Sequence, residues 1–206
     1  MSNIWFTSDL HINHTQEFLY GPRGFTNEKE MNEAIVERWN SVVKPDDIVY
    51  DLGDIALNDI TDAINYLNRL NGTHYWLLGN HDTNNKVERL CHSCYKIIIP
   101  NEKYAMVIKA GKMSIYMSHY PTLTANFDDK QFSRHVLSLH GHTHQQKNWL
   151  YLDNPFLYHV GLDSHNCTPV HIDEIIADVK NRWNELGNNT NILKRDDMYG
   201  IPKVNI

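Results

Sequence analysis

The chain has 206 residues, 41% of them hydrophobic, and a formal net charge of −6. This length and composition suffice for one domain with a sizeable core, and we predict a single domain over residues 1–206. The acidic charge argues against a protein that coats nucleic acid non-specifically. No apolar run approaches the roughly 20 residues of a membrane span, and the N-terminus has neither the basic nor the apolar region of a signal peptide.

The cysteine content indicates a reducing compartment, and we expect the cytoplasm. Three cysteines, an odd number, do not make a disulfide framework. Cys91 and Cys94 form a C-x-x-C pair without a second pair to complete a zinc site. Their neighbours Val87 and Leu90 favour helix packing, with a redox or zinc role as the alternative. Histidine is unusually frequent, with 13 residues.

The first half of the chain alternates strands and helices. We predict three strands, at residues 4–8, 48–52 and 75–78. Two helices separate them, at residues 27–43 and about 60–70, because apolar residues recur there at helical spacing. Asn27 and Glu30 have the spacing of a capping box at the start of the first helix. A strand–helix–strand–helix–strand order predicts a parallel sheet with right-handed connections.

The second half is richer in strands and ends in a helix. We predict strands at residues 95–99, 104–109, 113–118, 136–139 and 156–160. The tight turn Ala110-Gly111 predicts a hairpin between the second and third of these. A last helix is predicted at residues 173–186, followed by an irregular, surface-packed tail at 188–206. The predicted class is α/β, with two mixed sheets packed face to face and helices outside.

Polar side chains that can bind metal follow five of the predicted strands. They occur as D-x-H, G-D, G-N-H-D, a lone histidine and G-H-x-H, and the metal-capable residues are Asp9, His11, Asp54, Asn80, His119, His142 and His144. Ligands of α/β sheets gather outside the carboxyl ends of the strands. Oxygen and nitrogen donors of this number suit two divalent cations that share a carboxylate. No cysteine belongs to the set, so a thiolate zinc site is not implied.

Each motif taken alone also has a structural interpretation. Asp9 and His11 could be a helix cap and a surface histidine, Gly53-Asp54 a turn, and His119 a core histidine. The G-H-x-H motif could place alternate residues on one strand face. Five such motifs, each after a strand-like run, favour a common site.

In this order the motifs resemble the calcineurin-like metallophosphoesterases, over about residues 3 to 145. The resemblance implies a four-layer αββα sandwich and a binuclear metal centre. It implies that one metal is held by Asp9, His11 and His144, the other by Asn80, His119 and His142, and that Asp54 bridges them. By the same resemblance His81 is the general acid beside the scissile phosphate, and Asp82 orients it.

Further segments refine the resemblance. Ser118-His119-Tyr120-Pro121, and Asp9-Leu10-His11 with His14, resemble a small bacterial or phage-type subgroup. Protein phosphatases of the superfamily carry an arginine after G-D, whereas Gly53-Asp54 is followed here by Ile55-Ala56-Leu57-Asn58. The missing arginine makes a protein phosphatase a less favoured interpretation. We also expect no cap or nuclease accessory domain, which would leave substrate selection to loops.

The sequence therefore predicts hydrolysis of phosphodiesters or small nucleotides by a hydroxide that two divalent transition metals activate. Manganese is favoured because imidazole-rich sites suit transition metals better than magnesium, and iron, zinc, cobalt or nickel also fit. A nuclease or a phosphomonoesterase is the alternative, so a nucleic-acid substrate stays open. A non-catalytic binding or scaffold protein is a further alternative. No membrane and no obligate protein partner are expected.

Several residues outside the motifs each have two possible roles. His14 either contacts substrate or lies on the rim of the site. Asp163 either supports a metal ligand or belongs to a plain turn, which we favour. The arginines nearest the motifs either bind phosphate or are solvated, namely Arg23 and Arg134. Three aromatic residues either stack on a base or sugar, or pack, namely Tyr120, Trp149 and Tyr151.

Overall fold

A computed structural model describes residues 2–58, 60–124 and 131–187, and the predicted tail at 188–206 lies outside the described residues. The strands within these ranges are β1 (Ile4–Thr7), β2 (Ile48–Asp51), β3 (Thr73–Trp76), β4 (Ile97–Ile98), β5 (Ala105–Ala110), β6 (Met113–Ser118), β7 (Val136–His140), β8 (Leu157–His159) and β9 (Val170–His171). The helices are α1 (Glu17–Tyr20), α2 (Glu28–Val42), α3 (Ile60–Leu67), α4 (Asn84–Ser93) and α5 (Ile172–Glu185). None of these helices is long and apolar enough to cross a membrane.

The strands form two mixed sheets, as predicted. The first has the order β4-β3-β2-β1-β9 and the second the order β5-β6-β7-β8. Strands β1 to β4 pair in parallel, and β9 is antiparallel to β1. In the second sheet β5 and β6 make the predicted antiparallel hairpin, while β7 and β8 add in parallel. Strand β9 was not predicted because two residues are too short to show a period.

Two apolar clusters pack the sheets and helices against each other. Adjacent residues of one strand point to opposite faces, so Trp5 packs toward one cluster and Phe6 belongs to the other. The first cluster joins the first sheet to α2, α3 and α4. The second joins the inner faces of both sheets and receives Val179 and Trp183 of α5. The result is two sheets flanked by helices, the predicted αββα class.

Local signals explain the helix bounds. Asn27 caps α2, with its side chain accepting the Glu30 N–H at 3.0 Å. The Glu30 carboxylate accepts the N–H of Thr26 at 2.9 Å, so the reciprocal bond lies one residue before the predicted cap.

The C-x-x-C pair lies at the end of α4. Leu90 is buried in α4, and Cys91 and Cys94 are free thiols. Cys94 is buried, which supports the packing interpretation for this residue, whereas Cys91 is exposed.

The third strand begins and ends two residues before the predicted bounds. It starts at Thr73 because His74, although polar, is buried and stacks on Trp39 with ring centroids 5.0 Å apart. The ring nitrogen Nε2 lies 3.2 Å from the Asn71 carbonyl oxygen, which satisfies it. Leu77, beyond the end of the strand, packs between the sheets and begins the loop to the site.

Candidate metal centre

The loops that follow five strands meet at one edge of the two sheets, and most of their metal-capable residues have a left-handed backbone. The values of φ are 58° for Asp9, 50° for His11, 57° for Asp54, 68° for His142 and 47° for His144. This region is uncommon for residues other than glycine and clusters at functional sites. Backbone bonds hold the loops together, since the His11 N–H donates to the Asp54 carbonyl at 3.0 Å.

Two glycines allow the loops to approach this closely. A Cβ on Gly79 would lie 2.2 Å from the Asp54 Oδ1 atom. A Cβ on Gly141 would lie 2.2 Å from the Asp9 Oδ2 atom. Real Cβ atoms cannot approach oxygen to this distance, so the close contact itself requires glycine at both positions.

Asp9, His11 and His144 form the first group of donors. The Asp9 Oδ1 atom lies 3.7 Å from His11 Nε2 and 3.7 Å from His144 Nε2. Asp9 Oδ1 and His11 Nε2 are buried and have no hydrogen-bond partner in the described part of the chain. Buried polar atoms normally have partners, so these two fit a cation as their missing partner.

Asn80, His119 and His142 form the second group. The Asn80 Oδ1 atom lies 2.8 Å from His119 Nε2 and 2.9 Å from His142 Nδ1, and these two nitrogens are 3.2 Å apart. His119 Nδ1 lies 2.9 Å from the Leu52 carbonyl, which can only accept a hydrogen bond. This contact places the proton on Nδ1, so His119 Nε2 presents a lone pair to the group.

Asp54 lies between the two groups. Its Oδ2 atom is 3.7 Å from His11 Nε2 and 3.5 Å from His119 Nε2. Its Oδ1 atom accepts the His81 backbone N–H at 2.8 Å, which fixes the carboxylate. One oxygen thus faces donors of both groups, as a bridging ligand must.

A buried ion pair supports His144 from outside the donor set. His144 Nδ1 lies 3.0 Å from Asp163 Oδ2, and the Arg23 guanidinium donates to both oxygens of Asp163 at 3.0 Å. Arg23 also donates to the Asp9 carbonyl at 2.7 Å. Burial acts to raise the pKa of Asp163, but His144 and Arg23 outweigh it and hold the pKa below its usual range.

The plain-turn interpretation of Asp163 was wrong, and so were both interpretations of Arg23. Asp163 is not part of a plain turn alone, and Arg23 is neither solvated nor free to bind phosphate, because its side chain is 1% exposed. The two residues are 140 positions apart in the chain. No local pattern connects residues at such a separation, so the sequence carried no signal for the pair.

His81 and Asp82 occupy different environments. The His81 side chain is 48% exposed, and its Nε2 atom lies 4.0 Å from Asp54 Oδ2. Asp82 is buried, and its Oδ2 atom accepts the N–H groups of Asp54 at 2.7 Å and Gly79 at 2.8 Å, and the Trp76 indole N–H at 3.2 Å. Asp82 therefore holds the backbone of the loop that carries His81. Burial raises the pKa of Asp82.

Aromatic rings lie near each of the two donor groups. The His14 ring contacts the His11 ring at 5.4 Å between centroids and the Phe18 ring at 5.2 Å. The Tyr120 ring contacts His142 at 4.7 Å. Trp149 instead packs on Tyr158 at 5.7 Å, as the packing interpretation predicted.

The donor set fits divalent cations. Three-residue groups with ligand atoms within 4.8 Å of one another are formed by Asp9, His11 and His144, and by Asp9, Asp54 and His119. Carboxylate, amide and imidazole donors without thiolate suit divalent first-row ions. Burial opposes ionisation of Asp9, but the surrounding imidazoles outweigh it and hold the pKa of this carboxyl below its usual range.

Comparisons with known proteins match this chain to one family. A family model described as the calcineurin-like phosphoesterase superfamily domain matches residues 3–152. The uncharacterised protein MJ1445 of Methanocaldococcus jannaschii is 32% identical over 187 residues, which span 85% of this chain and 90% of that protein. The Gene 66 protein of Mycobacterium phage D29 is 28% identical over 199 residues, 87% of this chain and 98% of that protein.

A solved structure shares the fold. The protein of unknown function AQ665 from Aquifex aeolicus superposes with a TM-score of 0.62 at 20% identity, covering 85% of this chain and 98% of that one. The family match spans the loops after β1, β2, β3, β6 and β7, where the donor residues lie. On these grounds the chain belongs to the calcineurin-like phosphoesterase superfamily and is a metal-dependent hydrolase of phosphate esters.

Proposed function

We propose that this phosphoesterase hydrolyses phosphodiesters or small nucleotides at a binuclear centre. The observation that carries the proposal is the position of Asp54, whose Oδ2 atom lies within 3.7 Å of donors from both groups. Asp9, His11 and His144 would hold one cation, and Asn80, His119 and His142 the other. When bound, the two cations supply Lewis acidity that polarises the phosphate ester and lowers the pKa of water.

His81 is proposed as the general acid. Its side chain is half exposed at the edge of the donor groups, whereas His11 and His119 are buried. A protonated His81 can deliver its proton to the leaving oxygen, and such help contributes roughly 10²–10⁴ in rate. Asp82 acts as a positioning residue, because it holds the backbone N–H groups of Asp54 and Gly79.

Two observations favour diesters over monoesters and phosphoproteins. A doubly charged monoester gains most from an arginine clamp, but Arg23 is committed to Asp163 and two backbone carbonyls. The residues that follow Asp54, Ile55 and Ala56, are apolar and buried. Recognition would therefore rest on the cations and on the ester groups.

Manganese is the proposed ion, because the histidine-rich groups suit first-row transition metals better than magnesium. Iron, zinc, cobalt or nickel are alternatives with the same donor preference. A cytoplasmic location is proposed from the free state of Cys91, Cys94 and Cys167.

The test is a substrate panel on protein stripped of metal and reloaded with manganese. The panel contains cyclic dinucleotides, cyclic mononucleotides, oligonucleotides and small monoesters. We expect the highest kcat/KM on small diesters. Faster turnover of monoesters or of oligonucleotides would favour the phosphomonoesterase or nuclease alternative. No turnover of any ester with two ions bound would favour a binding or scaffold protein.

A further inference from the structure

We propose that Tyr120 and Phe18, one near each donor group, are stacking platforms for nucleobases, so that the substrate is a nucleotide diester. The inference rests on the proposed phosphodiesterase function and specifies its substrate class. Both rings are exposed; Tyr120 contacts His142 of one donor group directly, and Phe18 is linked to His11 of the other through the His14 ring.

Tyr120 borders the group that contains His119 and His142. Its ring centroid lies 4.7 Å from that of His142 and 5.3 Å from that of His119, in edge-to-face contacts. The side chain is nevertheless 52% exposed. Its backbone is fixed, because the Ser118 hydroxyl donates to the Tyr120 carbonyl at 2.8 Å. The ring is thus held beside the donors with much of its surface in solvent.

Phe18 borders the group that contains His11. The His14 ring lies between them, with centroids 5.4 Å from His11 and 5.2 Å from Phe18. Phe18 is 74% exposed, although its neighbour Leu19 is 4% exposed in the core. Burial of Leu19 anchors the short helix α1 and leaves Phe18 on its outer side. The hydrophobic effect does not stabilise an apolar ring that stays exposed to water.

Nucleobases fit these platforms better than other ester groups. Each base offers an apolar face that stacks on aromatic side chains, and loss of one such contact costs on the order of 10-fold in affinity. A net charge of −6 opposes a long polyanion, whose binding depends on neutralising many phosphates. The combination favours a nucleotide with one or two bases over an extended nucleic acid.

The test compares two esters with the same leaving group. Thymidine 5′-(4-nitrophenyl) phosphate carries a base, and methyl 4-nitrophenyl phosphate does not. On manganese-loaded wild type we expect KM to be about 10-fold lower for the thymidine ester. The double variant Tyr120→Leu/Phe18→Leu should abolish this preference, so that the ratio of the two KM values falls to about one. The two single variants identify which platform takes the base.

Tyr95→Leu is the matched control, because Tyr95 is 82% exposed but precedes β4, at the amino end of the parallel strands. Its KM values should equal those of wild type. Binding of thymidine 5′-monophosphate against methyl phosphate, measured by calorimetry, gives a readout that needs no turnover. Equal KM values and equal affinities in wild type and double variant would overturn the stacking inference alone. No hydrolysis of either ester, with preferential nucleotide binding retained, would overturn the proposed function alone.

Discussion

Asp54 is the residue on which the two donor groups depend. Its Oδ2 atom faces His11 Nε2 and His119 Nε2, which belong to different groups. Asp54→Ala should therefore weaken binding of both ions, as measured by metal analysis and titration. Asp163→Asn is the contrasting variant, because Asp163 contacts only His144 among the donors.

Loss of a residue that orients a metal ligand costs about 10–100-fold in metal affinity. Asp163→Asn should therefore weaken binding of one ion and leave binding of the other unchanged. Asp173→Asn, at a side chain that is 85% exposed, should change neither. One ion retained at full affinity in Asp54→Ala would contradict the bridging role.

His81 can be tested through the leaving group. A nitrophenolate leaves readily without a proton, whereas a nucleoside alkoxide does not. His81→Ala should therefore lose far more rate on a nucleoside ester than on a nitrophenyl ester, by roughly 10²-fold or more. Metal content should stay near two ions per chain, because the proposed ligands remain.

The alternative is that His81 only braces the loop through its backbone N–H, which donates to Asp54 at 2.8 Å. Equal losses on both esters, with metal depleted, would favour that role. His92→Ala, at an exposed residue of α4, should leave both rates unchanged.

At the scale of elements, Asp47 joins the connection before β2 to the start of β1. Its carboxylate accepts the N–H groups of Asn3 at 2.8 Å and Lys44 at 3.0 Å, and the Trp5 indole N–H at 3.0 Å. Burial acts to raise its pKa, but these donors outweigh it and lower the pKa to about 2. Because the ionised form is the one stabilised, the contribution is complete above the unfolded value near 3.8 and is lost as pH falls toward 2.

Asp47→Ala should lower the free energy of unfolding at pH 7 by about 2.5 kcal/mol, because the pKa is about 2 in the folded protein and 3.8 unfolded, and each pKa unit is worth about 1.4 kcal/mol. The difference from wild type should shrink between pH 4 and pH 2. Urea denaturation of metal-free protein measures it, and Asp46→Ala, at the exposed neighbouring residue, should change little. A difference that is constant with pH would show that packing, not the charge, carries the effect.

At the scale of the whole molecule, the donor groups join the two sheets. Asp9, Asp54 and Asn80 follow strands of the first sheet, whereas His119 and His142 follow strands of the second. Ions that bind only the folded arrangement stabilise it by mass action. Chelation should therefore lower Tm and abolish hydrolysis, and manganese should restore both while magnesium restores them poorly.

Differential scanning calorimetry and a diester assay on one preparation measure the two effects together. Asp54→Ala is the control, since its Tm should respond little to manganese. Full activity in magnesium alone after rigorous chelation would contradict the preference for a transition metal. A Tm that is independent of metal would contradict the role of the ions in joining the sheets.

The sequence by itself determined the order of strands β1 to β8 and of helices α2, α3 and α5, and the candidate donors; α1, α4 and β9 were not predicted. Helical spacing and the Asn27 cap are local signals, so they located α2 to within a residue. The donors were found because parallel strands bring the residues that follow their carboxyl ends to one edge of the sheet. That rule needs only the strand ends, which the chain displays as apolar runs followed by Asp9, Asp54 or Asn80.

Only the tertiary structure decided which distant side chains meet. The contact of Arg23 with Asp163, across 140 positions, has no local signature in the sequence. The folded chain buries this pair, and Asp163 contacts His144 there. The left-handed backbone of Asp9 and His142 and the exposure of Phe18 and Tyr120 were equally invisible. Periodicity reports how one element faces its neighbours, whereas such contacts depend on how loops from two sheets close upon each other.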